Sequence, residues 1–190
     1  QRDRLRFDAR RWMISKMNPT KYSDKLNIDQ KTTVVVEQPL FTDDEEEATR
    51  ISSELNTYNA ERQAIEAMVL EDAMDQVSQK IGPGGIVPPI IIASGHGWHP
   101  GVIGIVAGRL KEHFGRPTII IAIDENGDAK GSGRSITGVD LGSAITAARQ
   151  AEILTAGGGH AMAAGLSMRG EQIDALNEFL TDRLRINVDD

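Results

Sequence analysis

The second half of the chain alternates continuous apolar runs with amphipathic segments, and this alternation restricts the fold more than any other feature. Residues 90–93 and 118–123 are short runs rich in isoleucine, and residues 101–114 between them have a helical apolar face. Short β-branched runs favour strands, and continuous apolar character means that both faces of each strand are buried. Helices must therefore cover such a sheet from both sides.

Turn and cap signals divide the rest of this half into further elements. Asn126-Gly127 predicts a hairpin turn, so a strand at residues 129–136 runs antiparallel to the strand before it. Asp140 is the expected N-cap of the next helix. A helix is predicted at residues 141–151, followed by a glycine-rich turn at 154–160 and a short helix at 161–164. A strand at 163–168 and a final helix at 171–184 complete the domain. We therefore predict the α/β fold class, with a mixed sheet covered by helices on both faces.

A long helix is predicted ahead of this domain. Thr42 and Glu45 have the spacing of a capping box, and the glycine-rich residues 82–85 stop the helix near Ile81. Its apolar residues form one narrow stripe, at Ile51, Leu55, Tyr58, Ile65 and Val69. This stripe fits a solvated spacer or a coiled coil, so a homodimer through the long helix is one open alternative.

Charge divides the chain into three unequal regions. Residues 1–31 carry a net charge of +5, residues 32–89 of −9 and residues 90–190 of −3. The overall charge of −7 argues against nucleic-acid binding by bulk electrostatics, so any phosphate site must be built locally from a few cations and backbone N–H groups. The predicted units are a basic N-terminal segment at residues 1–40, a long connector helix at 41–82 and a folded domain at 88–186.

Several other classes of protein find little support in the sequence. The chain has no Cys, which excludes disulfides and thiolate metal sites. Its four His lack the His-x-x-x-His spacing of metal sites, and no Gly-x-Ser-x-Gly sequence supports a serine nucleophile. No apolar run approaches the roughly 20 residues that cross a bilayer. We expect a cytoplasmic protein that binds no membrane.

Three segments place hydrogen-bond donors in positions suited to phosphate. Residues 98–104 join a strand to the start of a helix, where anions are favoured, and contain His99. Residues 131–135 contain Arg134, which can hold a phosphate with two parallel hydrogen bonds, and alternate glycines that leave one side of the strand bare for a ligand or another backbone. Residues 157–160 carry three glycines before His160, a composition typical of anion-binding turns.

Each of these segments also has a structural interpretation. His160 fits a tight turn with a satisfied imidazole, and Arg134 fits an exposed edge strand. Taken alone, each of these two segments supports the binding and the structural interpretation about equally. Trp98 is better explained as a core residue than as a base-stacking one. His99 favours a binding role, because it lies where a helix begins.

Taken in order, the three segments resemble the DHH-associated domain of RecJ-type exonucleases. The matching residues are Trp-His-x-Gly-Val-x-Gly at 98–104, Lys-Gly-Ser-Gly-Arg-Ser at 130–135 and Gly-Gly-Gly-His-x-x-Ala-Ala-Gly at 157–165. The long helix, including residues 59–63, resembles the connector between the two domains of that family. The resemblance covers about residues 41–185.

The resemblance implies a nucleic-acid-binding role. RecJ-type enzymes remove nucleotides from single-stranded DNA in the 5′ to 3′ direction, and their DHH domain holds manganese or magnesium through Asp and His. The associated domain faces the DHH domain across a cleft and grips the DNA phosphates, which implies single-stranded DNA or a nucleotide as the ligand. Carried over to this sequence, the phosphate-binding residues are His99, Lys130, Ser132, Arg134, Ser135, Gly157, Gly158, Gly159 and His160.

The chain departs from that family in its metal ligands. No Asp-His-His sequence occurs in the 190 residues, and metal-assisted attack on phosphorus needs such ligands. We therefore predict no catalytic residue, metal ligand or cofactor for this chain alone, and a DHH domain as a partner that brings Mn or Mg. Three hypotheses stay open: a binding module, a phosphoesterase active only with a partner domain, and a helix-mediated oligomer with a vestigial cleft.

The first 40 residues lie outside this resemblance. A short basic helix is predicted at residues 4–17 and a small strand at residues 33–36. Residues 11–25 resemble the tail of phage terminase small-subunit-like proteins, which suggests a fusion. The basic helix is therefore a second candidate for contact with DNA or a partner.

Overall fold

A computed structural model describes the backbone of residues 45–81 and 85–188 and the side chains of residues 47–81 and 85–184. The predicted helix at residues 4–17, the strand at 33–36 and the capping box at Thr42 lie outside the described residues. The chain divides into two compact units, Gln1–Thr57 and Tyr58–Asp190. The described part of the first unit is the beginning of the first helix, and the sheet and the other helices belong to the second unit.

The described elements alternate helices and strands. They are α1 (Glu45–Ile81), β1 (Ile91–His96), α2 (Ile103–Phe114), β2 (Thr118–Ile123), β3 (Asp128–Arg134), α3 (Leu141–Gln150), β4 (Ala156–His160), β5 (Ala163–Arg169), a 3-10 turn (Gly170–Gln172) and α4 (Ile173–Val188). The predicted fold class is confirmed, because helices lie on both faces of one mixed sheet and a long helix comes before it. β2 begins and ends at the residues predicted from the sequence, Thr118 and Ile123.

The sheet has five strands in the order β1-β2-β3-β5-β4. β1 and β2 are parallel and are joined by α2, because a parallel pair needs a crossover connection. Every other neighbouring pair is antiparallel. The β2–β3 turn forms as predicted at Asn126-Gly127: Asp124 Oδ1 accepts hydrogen bonds from the N–H groups of Asn126 and Asp128, and Gly127 has a φ of 76°.

Two apolar cores lie on opposite faces of the sheet. Ile119 and Ile121 of β2 point to the core that α3 and α4 cover. Ile120 and Ala122 point to the core that α1 and α2 cover. β2 is thus buried on both faces, which explains why its sequence is continuously apolar rather than alternating.

The second half of α1 is part of the fold rather than a solvated spacer. Val69, Ala73 and Val77 recur every fourth residue and are buried against β1 and α2. Gln76 and Lys80 reach the outer edge of β1, where hydrogen bonds join the Gln76 amide to the N–H and C=O of Ser94 (3.3 and 3.0 Å) and Lys80 Nζ to the C=O of Ile92 (2.7 Å). The spacer interpretation is therefore wrong for this part of the helix.

A second link between the helices is a buried carboxylate. Glu66 of α1 is almost fully buried; its Oε2 lies 2.6 Å from Arg62 Nη1, and its Oε1 lies 2.5 Å from Arg109 Nη2. Arg109 belongs to α2, so this ion pair fixes α1 against α2. A buried carboxylate of this kind needs its cationic partners, because an unpaired buried charge is strongly destabilising.

The glycine-rich segment is a strand, and this corrects the sequence-based expectation. We predicted a turn at residues 154–160 and a short helix at 161–164, but the chain forms β4, a two-residue turn and β5. Gly157, Gly158 and Gly159 pair in register with β5 and are not among the described glycines with positive φ. Pairing with a strand that follows in the chain outweighs the weak local strand propensity of glycine. The anion nest that a turn would form is therefore not present in this segment.

Asp140 caps α3 as predicted. Its Oδ1 accepts a hydrogen bond from the Ser143 N–H at 2.9 Å, and its Oδ2 accepts one from the Ser143 hydroxyl at 2.7 Å. These bonds, the backbone one above all, lower the pKa of Asp140. In the part of the chain that the structure describes, no helix combines the length and the hydropathy needed to cross a membrane.

The cap makes stability depend on pH, and Asp140→Asn isolates the effect because it keeps an oxygen but cannot titrate. A carboxyl whose pKa is lower in the folded state stabilises the fold above its unfolded pKa, near 3.8, and this stabilisation is lost as the pH falls through the folded value. In urea unfolding, we expect the free-energy difference between wild type and variant to be constant above about pH 5 and to shrink below about pH 4. A difference that persists to the lowest pH at which both proteins fold would contradict this.

Candidate phosphate-binding site

On the face covered by α1 and α2, the half of the sheet formed by β3, β5 and β4 carries small and polar residues instead of a core. Directly opposite residues of antiparallel strands point to the same face, and Ser132 is opposite Ile120 of the α1–α2 core. The registers give three rows across β3, β5 and β4: Arg134, Ala163 and His160; Ser132, Gly165 and Gly158; Lys130, Ser167 and Ala156. We call these nine residues the open face.

The centre of the open face is bare backbone. A Cβ atom placed on Gly158 or Gly165 would meet no heavy atom within 4 Å. The two glycines are cross-strand neighbours in the middle row. Because neither has a positive φ, their lack of a side chain is not needed for the backbone conformation. They form a flat floor on which another molecule can lie in contact with the backbone.

Arg134 lies at the border between the open face and α2. Its Nη1 donates hydrogen bonds to its neighbour's carbonyl, Gly133 O, at 2.8 Å and to Ser132 Oγ at 3.1 Å. A Cβ on Gly104, in the first turn of α2, would lie 2.9 Å from Arg134 Nη2 and 3.0 Å from Ser132 Oγ. The guanidinium therefore occupies space that exists because residue 104 is glycine. Both bonds use Nη1, and the edge formed by Nε and Nη2 has the geometry that binds two phosphate oxygens.

His99 and His160 have the same local arrangement. The Nδ1 of His99 accepts a hydrogen bond from the Gly101 N–H at 3.0 Å, and the Nδ1 of His160 accepts one from the Met162 N–H at 3.3 Å. A neutral ring whose Nδ1 accepts carries its proton on Nε2. Both rings are exposed, so each offers an Nε2–H donor to a ligand. His160 lies in the row of Arg134, two strands away and thus roughly 10 Å from it.

The structure divides the nine residues predicted from the sequence. It brings five of them together on the open face, namely Lys130, Ser132, Arg134, Gly158 and His160. His99 lies in the loop before α2. The other three point away: Ser135 is 1% exposed and donates its hydroxyl to Val139 O at 2.8 Å, Gly157 faces Ile145 of α3, and Gly159 faces Ala164. A direct side-chain role for Ser135 in binding is inconsistent with this burial.

The glycines of β3 make room for core side chains and not, as predicted, for a ligand or another backbone. A Cβ on Gly131 would lie 2.7 Å from Leu166 Cδ1, and one on Gly133 would lie 2.7 Å from Leu141 Cδ2. The bare side of β3 is therefore filled by the α3–α4 core. The interpretation that this side accepts a ligand is wrong, because core side chains cover it. The uncovered side is the one that carries Lys130, Ser132 and Arg134.

Two site residues were missed at the sequence level. Gly104 and Gly165 lie inside the recognised segments, but their importance depends on what faces them across the fold. Trp98 is a core residue as interpreted, 7% exposed and bonded through Nε1 to Asp72 of α1 at 3.0 Å. Within residues 45–81 and 85–188, no group of three His, Asp or Glu residues is placed to hold a metal ion.

Two family models match the chain. The DHHA1 domain model matches residues 88–185, just over half of the chain, and the model of the Bacteriophage Sf6, terminase small subunit-like family matches residues 1–29. The single-stranded-DNA-specific exonuclease RecJ of Bacillus subtilis (strain 168) is 38% identical over 144 residues, which cover 75% of this chain and 18% of that protein. RecJ of Dickeya dadantii (strain 3937) is 36% identical over 146 residues, covering 75% and 25%.

A solved structure of RecJ is also similar to this chain. RecJ from Thermus thermophilus in complex with Mn²⁺ has a TM-score of 0.66 at 30% identity, covering 76% of this chain and 20% of that one. The chain belongs to the DHHA1 domain family. Within the family it is of the RecJ type, so the resemblance predicted from the three segments is confirmed. It spans about a quarter or less of the length of the RecJ relatives named here.

Alanine at two glycines tests the assignment of the two sheet faces. Gly133→Ala forces a methyl group against Leu141 and Ile119, and overpacking of this kind costs about 1–3 kcal/mol. Gly165→Ala adds the same methyl group to the open face, so we expect a much smaller change in the free energy of unfolding, measured by urea denaturation. Equal destabilisation by both variants would mean that the open face is covered.

Proposed function

We propose that the open face binds the sugar–phosphate backbone of single-stranded DNA, as the nucleic-acid-binding domain of a RecJ-like 5′–3′ exonuclease. The observation that carries the proposal is the row of Arg134, Ala163 and His160 beside the bare floor of Gly158 and Gly165. Donors at both ends of a flat floor suit a chain of phosphates whose sugars or bases lie against the backbone between them. The RecJ relatives of Bacillus subtilis and Dickeya dadantii are single-stranded-DNA-specific exonucleases, which supports this choice of ligand.

The charge of the chain favours a local site over a general electrostatic attraction. A net charge of −7 repels DNA at long range, so affinity must come from specific hydrogen bonds. Arg134 supplies a planar pair of N–H donors, His160 supplies Nε2–H, and Lys130 supplies an ammonium group in the first half of β3. In this proposal these groups bind and orient phosphates.

Hydrolysis is proposed to depend on a metal held elsewhere. The described residues do not fit a divalent ion, because they include no group of three His, Asp or Glu residues placed together. Structures of RecJ from Thermus thermophilus contain Mn²⁺ or Mg²⁺. We therefore assign this chain to substrate binding, and a DHH domain, as a partner, to metal binding and bond cleavage; activity would appear only when both are present.

Arg134→Ala is expected to weaken binding of a 5′-phosphorylated oligothymidylate by about ten- to hundredfold, because a hydrogen bond to a charged group contributes roughly 1.5–3 kcal/mol. Fluorescence anisotropy at several salt concentrations should also give a salt slope reduced by about one. Arg134→Lys keeps the charge but loses the planar pair of donors, so we expect intermediate affinity.

Lys111→Ala serves as the matched control for charge. Lys111 lies in the last turn of α2, beside Glu112, and its loss removes one positive charge away from the open face. We expect little change in affinity for this variant. If Lys111→Ala and Arg134→Ala weaken binding equally, the attraction is general and the site assignment is wrong.

A homodimer through α1 is the alternative proposal. Ile51 and Tyr58 of the predicted stripe are 39% and 47% exposed, which leaves apolar surface on the helix. Val69 of the same stripe is buried within its own unit, so the stripe available to a partner is shorter than predicted. Multi-angle light scattering decides: a monomer at high concentration removes this proposal, and a dimer broken by Leu55→Asp supports it.

A further inference from the structure

Asp72 of α1 lies outside the open face, and both of its carboxylate oxygens accept hydrogen bonds. Oδ2 accepts from Trp98 Nε1 at 3.0 Å, and Oδ1 accepts from Gln76 Nε2 at 3.2 Å. Gln76 is the residue that binds the outer edge of β1 at Ser94. One exposed carboxylate thus connects α1, the edge of the sheet and the loop after β1.

The side chain of Trp98 has a closely defined position. A Cβ on Gly95 would overlap the indole, so the ring lies directly against the backbone of β1. Ser94, the neighbouring residue, is held by Gln76. Trp98 is 7% exposed, and a buried indole N–H needs an acceptor, which is Asp72.

His99 is held between two buried residues. Trp98 precedes it, and the carbonyl of His99 accepts a hydrogen bond from the N–H of Val102 at 3.1 Å. Val102 is 1% exposed, and the imidazole of His99 is fixed by the Gly101 N–H. The position of the exposed Nε2–H donor therefore depends on where the indole of Trp98 lies.

We propose that Asp72 is a positioning residue for phosphate binding, which acts through Trp98 on the loop that carries His99. This inference rests on the proposed function of the open face. It adds His99 and α1 to the residues and elements that determine phosphate binding. Its consequence is that α1 sets the geometry of the site without touching the ligand. A shift of α1 against β1 would then change the affinity for nucleic acid.

The direction in which Asp72→Ala changes the affinity for DNA distinguishes a positioning role from an electrostatic one. Asp72 is exposed and negative, so its removal reduces the repulsion of DNA, and electrostatics alone predicts tighter binding by Asp72→Ala. Positioning predicts weaker binding, by about three- to tenfold. Glu71→Ala is the matched control, because it removes the same charge from the adjacent exposed residue of the same helix.

The test uses the full chain and anisotropy of a 5′-phosphorylated oligothymidylate. We expect Asp72→Ala to weaken binding while Glu71→Ala does not, and Asp72→Asn, which keeps an acceptor oxygen for the indole, to recover most of the affinity. In a His99→Ala background, Asp72→Ala should cause no further loss. A loss of the same size in that background would show a general destabilisation and overturn the inference.

Failure of the inference can be told from failure of the proposed function. If Arg134→Ala weakens binding but Asp72→Ala behaves like Glu71→Ala, the open face is right and the positioning role is wrong. If His99→Ala alone leaves binding unchanged while Arg134→Ala weakens it, the loop is not part of the site and the inference also falls. If Arg134→Ala has no effect, the proposed function itself is wrong.

Discussion

The described fold depends on the packing of α1 against β1, where Gln76 and Lys80 also form hydrogen bonds with the outer edge of the strand. β1 ends the sheet, and an uncovered edge strand leaves its N–H and C=O groups unpaired. The same helix buries Val69 and Val77, each worth roughly 1.5–3 kcal/mol. Since a whole domain is stable by only about 5–15 kcal/mol, the unit needs this part of α1 in order to fold.

The site follows from the unequal cover of one sheet face. α1 and α2 bury β1 and β2, and Gly104 of α2 meets Arg134 at the border of the open face. Beyond that border the opposite side of β3 and β5 remains packed by α3 and α4, so these strands are held on one face although the other is bare. In the proposed function, this bare sheet with cations at its margin is the local phosphate site of an acidic protein.

The sequence predicted those parts of the fold that local pattern decides. The bounds of β2 followed from the β-branched and apolar run TIIIAI between Pro117 and Asp124, and the start of α3 followed from Asp140. β4 was missed because glycine has little strand propensity and the pairing partner lies across a turn. The rows of the open face depend on register between strands, which no local pattern gives. For the same reason the roles of Gly131 and Gly133 were assigned to the wrong side of β3.

The most direct test of the central claim is a map of backbone amide shifts in the ¹⁵N-labelled chain during titration with a 5′-phosphorylated oligothymidylate. If the open face binds the oligonucleotide, the largest shifts fall at residues 130–134, 157–160 and 163–167, with a second group around His99. Shifts confined to the basic residues 1–31, or to α3 and α4, would contradict it, because binding would then occur away from the open face.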